Sequence, residues 1–250
     1  MTGGRLLTRL CGDATSDFAV LCLPYAGGGS HVFTPWREHV PPSASVISVD
    51  PPGRRTRIGT SPFQRVDDYV NALVHELQNT VRSPWVLFGH SLGALVGYHL
   101  LRRLLDCGAP LPQHFVASGC RAPHRPYRFS GAHRLPDREF RDFLLQLGGT
   151  PPELLEDDDV YAWFDASLRA DFMLAGTQCE PPSEPIERVA ATVLYAVDDP
   201  VVSLDDVAEW RNHFRHIEWR SFRGGHFFIE CEASRAQVCE IVTAAVEEVS

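Results

Sequence analysis

Short apolar runs alternate with helix-spaced segments along most of this chain, and that rhythm limits its fold more than any other feature. The runs are Phe18 to Leu23, Ser45 to Val49, Trp85 to Phe88, Phe115 to Ser118, Thr192 to Val197 and Ile217 to Phe222. Each has the length and the β-branched or aromatic content of a buried strand, with turn residues at its ends. Between them, Val66, Tyr69, Val70, Leu73, Val74 and Leu77 fall on one helical face. Ser91 to Leu105 reads as a second helix, and Val238, Ile241, Val242, Ala245 and Val246 mark a C-terminal one. Strand followed by helix, repeated, predicts an α/β fold: a mostly parallel central sheet with helices on both faces. The rhythm lapses between about 121 and 185, where Pro pairs, the acidic run Glu156 to Asp159 and a helical patch at Phe140, Phe143, Leu144 and Leu147 appear. A helical insertion is expected there, covering one end of a core made of residues 1–120 and 186–250.

Composition removes several classes of function. All 23 basic residues are Arg, and the chain has no Lys. A Schiff-base aldolase, a pyridoxal-phosphate enzyme and a Walker-A nucleotide hydrolase each need an amine at the centre of their chemistry, so none fits. The net charge of −9 speaks against a nonspecific grip on nucleic acid, which requires a basic face. At 250 residues the chain can bury a sizeable core without disulfides or metals. Its seven cysteines are odd in number and none has C-x-x-C spacing, so reduced thiols, a cytoplasmic setting and no metal site are expected. Met1 to Gly12 is polar and predicts no signal peptide. No apolar stretch approaches the roughly 20 residues of a membrane helix, and a monomer is expected.

The chemistry is concentrated in Gly89-His90-Ser91-Leu92-Gly93, a Gly-x-Ser-x-Gly placed between a predicted strand and a predicted helix. A serine held in so tight a turn leaves no room for side chains two positions either side of it, and the two glycines remove them. The helix that follows points its N-terminal N–H groups at the site, favouring developing negative charge. A serine hydroxyl needs an imidazole to take its proton. Of eleven histidines, His226 stands out in Gly224-Gly225-His226-Phe227-Phe228, directly after the last predicted strand. His90 is expected to pack or to tune the site. The imidazole in turn needs a carboxylate. Asp198-Asp199-Pro200 follows the run Thr192 to Val197; Asp199 is favoured because the Asp-Pro turn fixes its backbone, with Asp198 as the alternative. The order Ser91, Asp199, His226 is that of the α/β-hydrolase fold. Two N–H donors must cradle a tetrahedral oxyanion. One is expected from Leu92 and the other from the glycine-rich segment Pro24 to Ser30, at Ala26 or else Tyr25. A phosphate-cradling role for that loop fails without a Gly-Lys-Ser/Thr ending.

Taken together, these segments resemble the type II thioesterases associated with polyketide and nonribosomal peptide synthetases, over nearly the whole chain. The resemblance runs through Leu23-Pro24-Tyr25-Ala26-Gly27-Gly28, Pro52-Gly53-Arg54, the Ser91 turn, Ser118-Gly119-Cys120-Arg121-Ala122-Pro123, Leu147-Gly148-Gly149-Thr150-Pro151, Leu168-Arg169-Ala170-Asp171-Phe172 and Gly224-Gly225-His226-Phe227-Phe228. It implies a Ser91–His226–Asp199 triad, an oxyanion hole at Ala26 and Leu92, and residues 121–185 as a mobile lid over an acyl chamber. It also implies hydrolysis of acyl groups from phosphopantetheine on an acyl or peptidyl carrier protein, with no cofactor of the enzyme's own, to clear stalled intermediates. Carrier proteins are usually acidic, so Arg54, Arg55, Arg57 and Arg121, together with Arg125 and Arg128, are candidates for a docking patch. The family pattern is not met everywhere: Ala196-Val197 stands where a glycine often precedes the Asp-containing turn, and Arg55-Thr56-Arg57 follows Pro52-Gly53-Arg54. A general esterase and a noncatalytic hydrolase-like binding protein are the other two readings.

Overall fold

The computed structural model describes residues 5–81 and 84–247. Seven strands form one sheet among them: β1 (Leu7–Cys11), β2 (Phe18–Leu23), β3 (Ala44–Val49), β4 (Trp85–His90), β5 (His114–Ser118), β6 (Ala190–Ala196) and β7 (Ile217–Phe222). Their order is β1-β3-β2-β4-β5-β6-β7. All neighbours are parallel except the edge pair β1–β3. The six apolar runs of the sequence are β2 to β7, with ends moved by a residue or two. Strand β1 is a correction. It occupies a stretch taken from sequence as a polar terminus, because an edge strand with only one residue fully buried has no continuous apolar run to announce it.

Side chains of the inner strands alternate between two cores, as a period of two requires. From β2, Ala19, Leu21 and Leu23 join one core while Phe18, Val20 and Cys22 join the other. Helices α1 (Val66–Thr80) and α2 (Leu92–Cys107) cover the first face through Tyr69, Leu73, Leu95, Tyr98 and Leu101. The second face is covered by the segment Ser30–Glu38 through Phe33 and Trp36, and by the C-terminal helix through Val238 and Val242. Between β5 and β6 lie α3 (Asp137–Leu147), α4 (Pro152–Glu156) and α5 (Asp158–Ala175). They pack around their own small cluster of Phe140, Leu144, Leu155, Tyr161, Leu168 and Phe172. Helix α6 (Leu204–Ala208) follows β6, and α7 (Glu232–Glu247) ends the described chain. Among the described residues, no helix is long and apolar enough to cross a membrane.

The topology sets where a site can form. The chain passes from β2 outward to β3, then returns to place β4 on the other side of β2. In open α/β sheets such a reversal opens a crevice at the carboxyl ends of the strands. The glycine-rich loop after β2 and the Ser91 turn after β4 both lie there.

Candidate active site

Ser91 links β4 to α2 at φ 54°, ψ −117°, a region an L-residue enters only where the surroundings dictate it. Its N–H donates to the Ser118 carbonyl at 2.8 Å, which ties the turn to β5. The glycines on either side are demanded by backbone. A Cβ on Gly89 would lie 2.3 Å from the Gly93 carbonyl oxygen, and one on Gly93 only 2.1 Å from that of Leu23. Leu92 begins α2, so its N–H has no intrahelical acceptor. Leu92, Ala26, Ser91 and His226 line one cleft.

The loop after β7 carries His226 over this turn, with Nε2 2.9 Å from Ser91 Oγ and Nδ1 2.8 Å from Asp199 Oδ2. A carboxylate only accepts, so Nδ1 carries the ring proton and Nε2 is left to accept from the Ser91 hydroxyl. Of the two adjacent carboxylates, Asp199 is the one brought to the imidazole. Its side chain is 3% exposed, whereas Asp198 faces solvent. The second oxygen of Asp199 accepts from the N–H groups of Val201 and Val202, at 2.7 and 3.2 Å. The next helix is capped by Ser203, whose hydroxyl accepts from the Asp206 N–H.

Three supports surround the triad; the sequence points to His90 as packing or tuning the site but not to the partners of any of the three. His90 is fully buried, and its Nε2 lies 3.0 Å from the His226 carbonyl. A carbonyl only accepts, so Nε2 is protonated, and Nδ1 accepts from the Ser118 hydroxyl at 2.9 Å. Burial, reinforced by the neighbouring His226, holds the pKa of His90 well below the usual imidazole range, so it stays neutral while gripping the His226 backbone. Tyr25 donates its hydroxyl to Glu230 and sets its ring edge-on to His90 and Phe227; burial first, then Glu230, pushes its pKa up. Asp171 on α5 accepts from the Gly27 N–H at 2.8 Å and from Arg54 at 2.6 Å. Its only sequence signal was a place in the Leu168 to Phe172 segment.

The arginine patch expected from sequence is corrected by burial. Arg54 has a side chain only 10% exposed; it donates to Asp171 and to the Gly28 carbonyl, and so fastens the glycine-rich loop to α5. Arg121 is buried and donates to the carbonyls of Ala175 and Thr177 at 2.8 and 3.0 Å, holding the end of α5 to the loop after β5. Arg57 is buried as well. None of these three can meet a partner at the surface. Arg55 keeps half its side chain in solvent but is turned toward Asp50, 3.6 Å away. Arg125, paired with Asp206, and the exposed Arg128, which donates to the Pro200 carbonyl, stand beside a second cleft. That cleft also ends at Ser91 and runs between Cys120–Arg128 and Val201–Asp206.

A serine, an imidazole and a carboxylate in hydrogen-bonded series at the carboxyl edge of such a sheet can run acyl transfer, and comparison with known proteins names the family. Residues 18–246 match the family model of the thioesterase domain. The chain belongs to the thioesterase family. It is 33% identical over 234 residues to thioesterase PikA5 of Streptomyces venezuelae, covering 90% of this chain and 80% of that one. It is 31% identical over 218 residues to the gramicidin S biosynthesis protein GrsT of Aneurinibacillus migulanus, covering 87% and 85%. Among solved structures, the type II thioesterase BorB from the borrelidin biosynthetic cluster superposes with a TM-score of 0.84 at 27% identity, covering 96% of this chain and 97% of that one. The fold of this thioesterase is therefore the α/β-hydrolase fold read from the order Ser91, Asp199, His226.

Proposed function

We propose that this thioesterase hydrolyses acyl groups from phosphopantetheine arms of acyl or peptidyl carrier proteins, clearing stalled or aberrant intermediates of polyketide or nonribosomal peptide assembly in the cytoplasm. The observation that carries the reading is the continuous relay Ser91–His226–Asp199, at 2.9 and 2.8 Å, in a chain whose relatives bear the names of such pathways. Ser91 Oγ attacks the thioester carbonyl as its proton passes to His226 Nε2. The N–H groups of Leu92 and Ala26 hold the oxyanion. The carbon–sulfur bond then breaks and His226 returns the proton to the departing thiolate, leaving an acyl-Ser91 ester. Water attacks that ester, with His226 as base; the carboxylic acid leaves and Ser91 regains its proton. Asp199 keeps the imidazole in the tautomer this needs and balances its transient charge.

Two further parts follow from the same reading. Residues 121–185 act as the lid, with 1–120 and 186–250 as the core beneath it. The spaces on the two sides of Ser91 are narrow, about 30 Å³ each, against the roughly 300 Å³ or more of a typical ligand site. A bulky acyl group therefore enters only when the walls of these spaces give way. The cleft between Cys120–Arg128 and Val201–Asp206 admits the pantetheine arm, and Arg125 and Arg128 meet an acidic carrier at its mouth.

The test is the intact mass of carrier proteins loaded with different acyl groups, before and after incubation with the protein. Loss of the acyl mass with recovery of the free-thiol carrier is expected for wild type and not for Ser91→Ala. Hydrolysis of the matched oxygen ester of acyl-pantetheine at a higher kcat/KM than the thioester would replace this reading with a general esterase.

A further inference from the structure

Two spaces lie end to end beneath α3–α5. The first is the narrow cleft that contains Ser91 and His226. The second, of about 240 Å³, extends past Tyr25 and Gly27 toward Pro151, Leu154 and Phe164. They share four wall residues: Tyr25, Gly149, Thr150 and Leu168. Tyr25 is fixed by its hydrogen bond to Glu230. Gly149 is pressed against Phe227, where a Cβ would stand 2.3 Å from the ring. Leu168 has no polar anchor. Its Cδ2 rests in the space left by the missing side chain of Gly27, 2.9 Å from where a Cβ would be, and a leucine can leave such a place by changing rotamer.

We propose that Leu168 is the gate between Ser91 and the 240 Å³ cavity, and so sets the length of acyl chain the site accepts. The proposal rests on the thioesterase reading, because it needs an acyl group on Ser91. The wall chemistry suits an alkyl chain. Leu154, Phe164, Pro151 and Leu168 are apolar, and two of the polar groups among them, Arg54 and Ser167, are already engaged. Arg54 is held by Asp171 and the Gly28 carbonyl, and the Ser167 hydroxyl donates to the Phe164 carbonyl at 2.9 Å. Burial, then Arg55, lowers the pKa of His31, which favours its neutral form at the edge of the cavity. Roughly 10–15 Å³ of such space holds one water-sized group, so the cleft at Ser91, at about 30 Å³, holds about two beside the reacting carbonyl, and the distal cavity, at about 240 Å³, holds many more. Acetyl and propionyl groups fit with the gate shut. Medium chains require it open.

Two panels of reagents test this on the whole protein. One is acetyl, hexanoyl and decanoyl thioesters of pantetheine, read as kcat/KM. The other is methyl, hexyl and decyl phosphonofluoridates, which label Ser91 by forming an Oγ–phosphorus bond as fluoride leaves, and so report on chain length without thioester turnover. Leu168→Ala is expected to raise the decanoyl-to-acetyl and decyl-to-methyl ratios about tenfold. Leu154→Trp, at a wall position 40% exposed and tolerant of bulk, is expected to lower both about tenfold by filling the cavity, and it carries the test if Leu168→Ala does not fold. Thioester turnover with both ratios unmoved overturns the gate and leaves the thioesterase reading standing. Labelling ratios that shift without thioester turnover keep the alkyl cavity and overturn the thioesterase reading. No turnover and no shift overturns both.

Discussion

Asp198 and Asp199 are neighbours of identical chemistry, and only Asp199 faces the imidazole, 2.8 Å from Nδ1. Replacing Asp199 by Asn substitutes a donor for an acceptor at that atom. The ring then turns over its tautomer, Nε2 acquires the proton, and the Ser91 hydroxyl loses its base. A fall in kcat of about 10⁴-fold is expected for Asp199→Asn, against less than twofold for Asp198→Asn; equal losses in a steady-state thioester assay would return the role to the turn rather than to one side chain. Ser91 and His226 were legible because local sequence announces them, a glycine-flanked turn in one case and a post-strand Gly-Gly-His in the other. The choice between two adjacent carboxylates was legible only through Pro200. The arginines were misread for a related reason. A charge count sees a guanidinium, but whether it meets solvent, the Asp171 carboxylate or the carbonyls of Ala175 and Thr177 depends on chain segments more than a hundred residues away for Arg54 and more than fifty for Arg121.

At the scale of elements, the β4–α2 junction is held by close backbone contacts that leave no slack. Gly93→Ala would drive a methyl into the Leu23 carbonyl, 2.1 Å away, so β2 and α2 must separate or the turn must open. The expected result is a cost of about 3 kcal/mol or more and loss of fluorophosphonate labelling at Ser91, both measurable on purified protein by urea melts and mass spectrometry. A second junction couples α5 to the loop after β2. Asp171→Ala frees the Gly27 N–H and leaves the Arg54 guanidinium buried without its partner, which is expected to cost about 3–5 kcal/mol. Because Gly27 follows Ala26, the proposed oxyanion donor, kcat should fall further than KM rises. If KM alone changes, Asp171 shapes substrate entry and not the oxyanion cradle. Sequence periodicity found the elements that build these junctions wherever an element is buried on both faces, as in β2 and β4. It missed β1, half exposed at the edge. It also could not place Asp171, since nothing in a helical pattern shows which charged residue turns inward.

At the scale of the whole molecule, three histidines are packed into the interior without a carboxylate partner within hydrogen-bonding distance among the described residues. His90 bonds to Ser118 and to a carbonyl, His114 to Thr192, and His213 to Tyr98 and His124. Burial is the largest cause of the lowered pKa in each, and it takes His213 down to about 3. In the unfolded chain all three titrate near 6.5. As pH falls through that value the unfolded state gains protons that the folded state refuses, so stability present above pH 6.5 is lost progressively below it, His213 continuing to contribute until about pH 3. Two pH units below 6.5, His213 alone removes about 3 kcal/mol from a total of about 5–15 kcal/mol for an ordinary domain, and His90 and His114 act in the same direction. Carboxylates add little in that window, since they titrate near 4. The urea midpoint is therefore expected to fall steeply between pH 6.5 and 4.5, and His213→Gln should flatten the slope by the share of one histidine whatever it does to stability at pH 8. A midpoint that stays level from pH 7 to pH 5 would mean that these interiors open to admit protons before the chain unfolds.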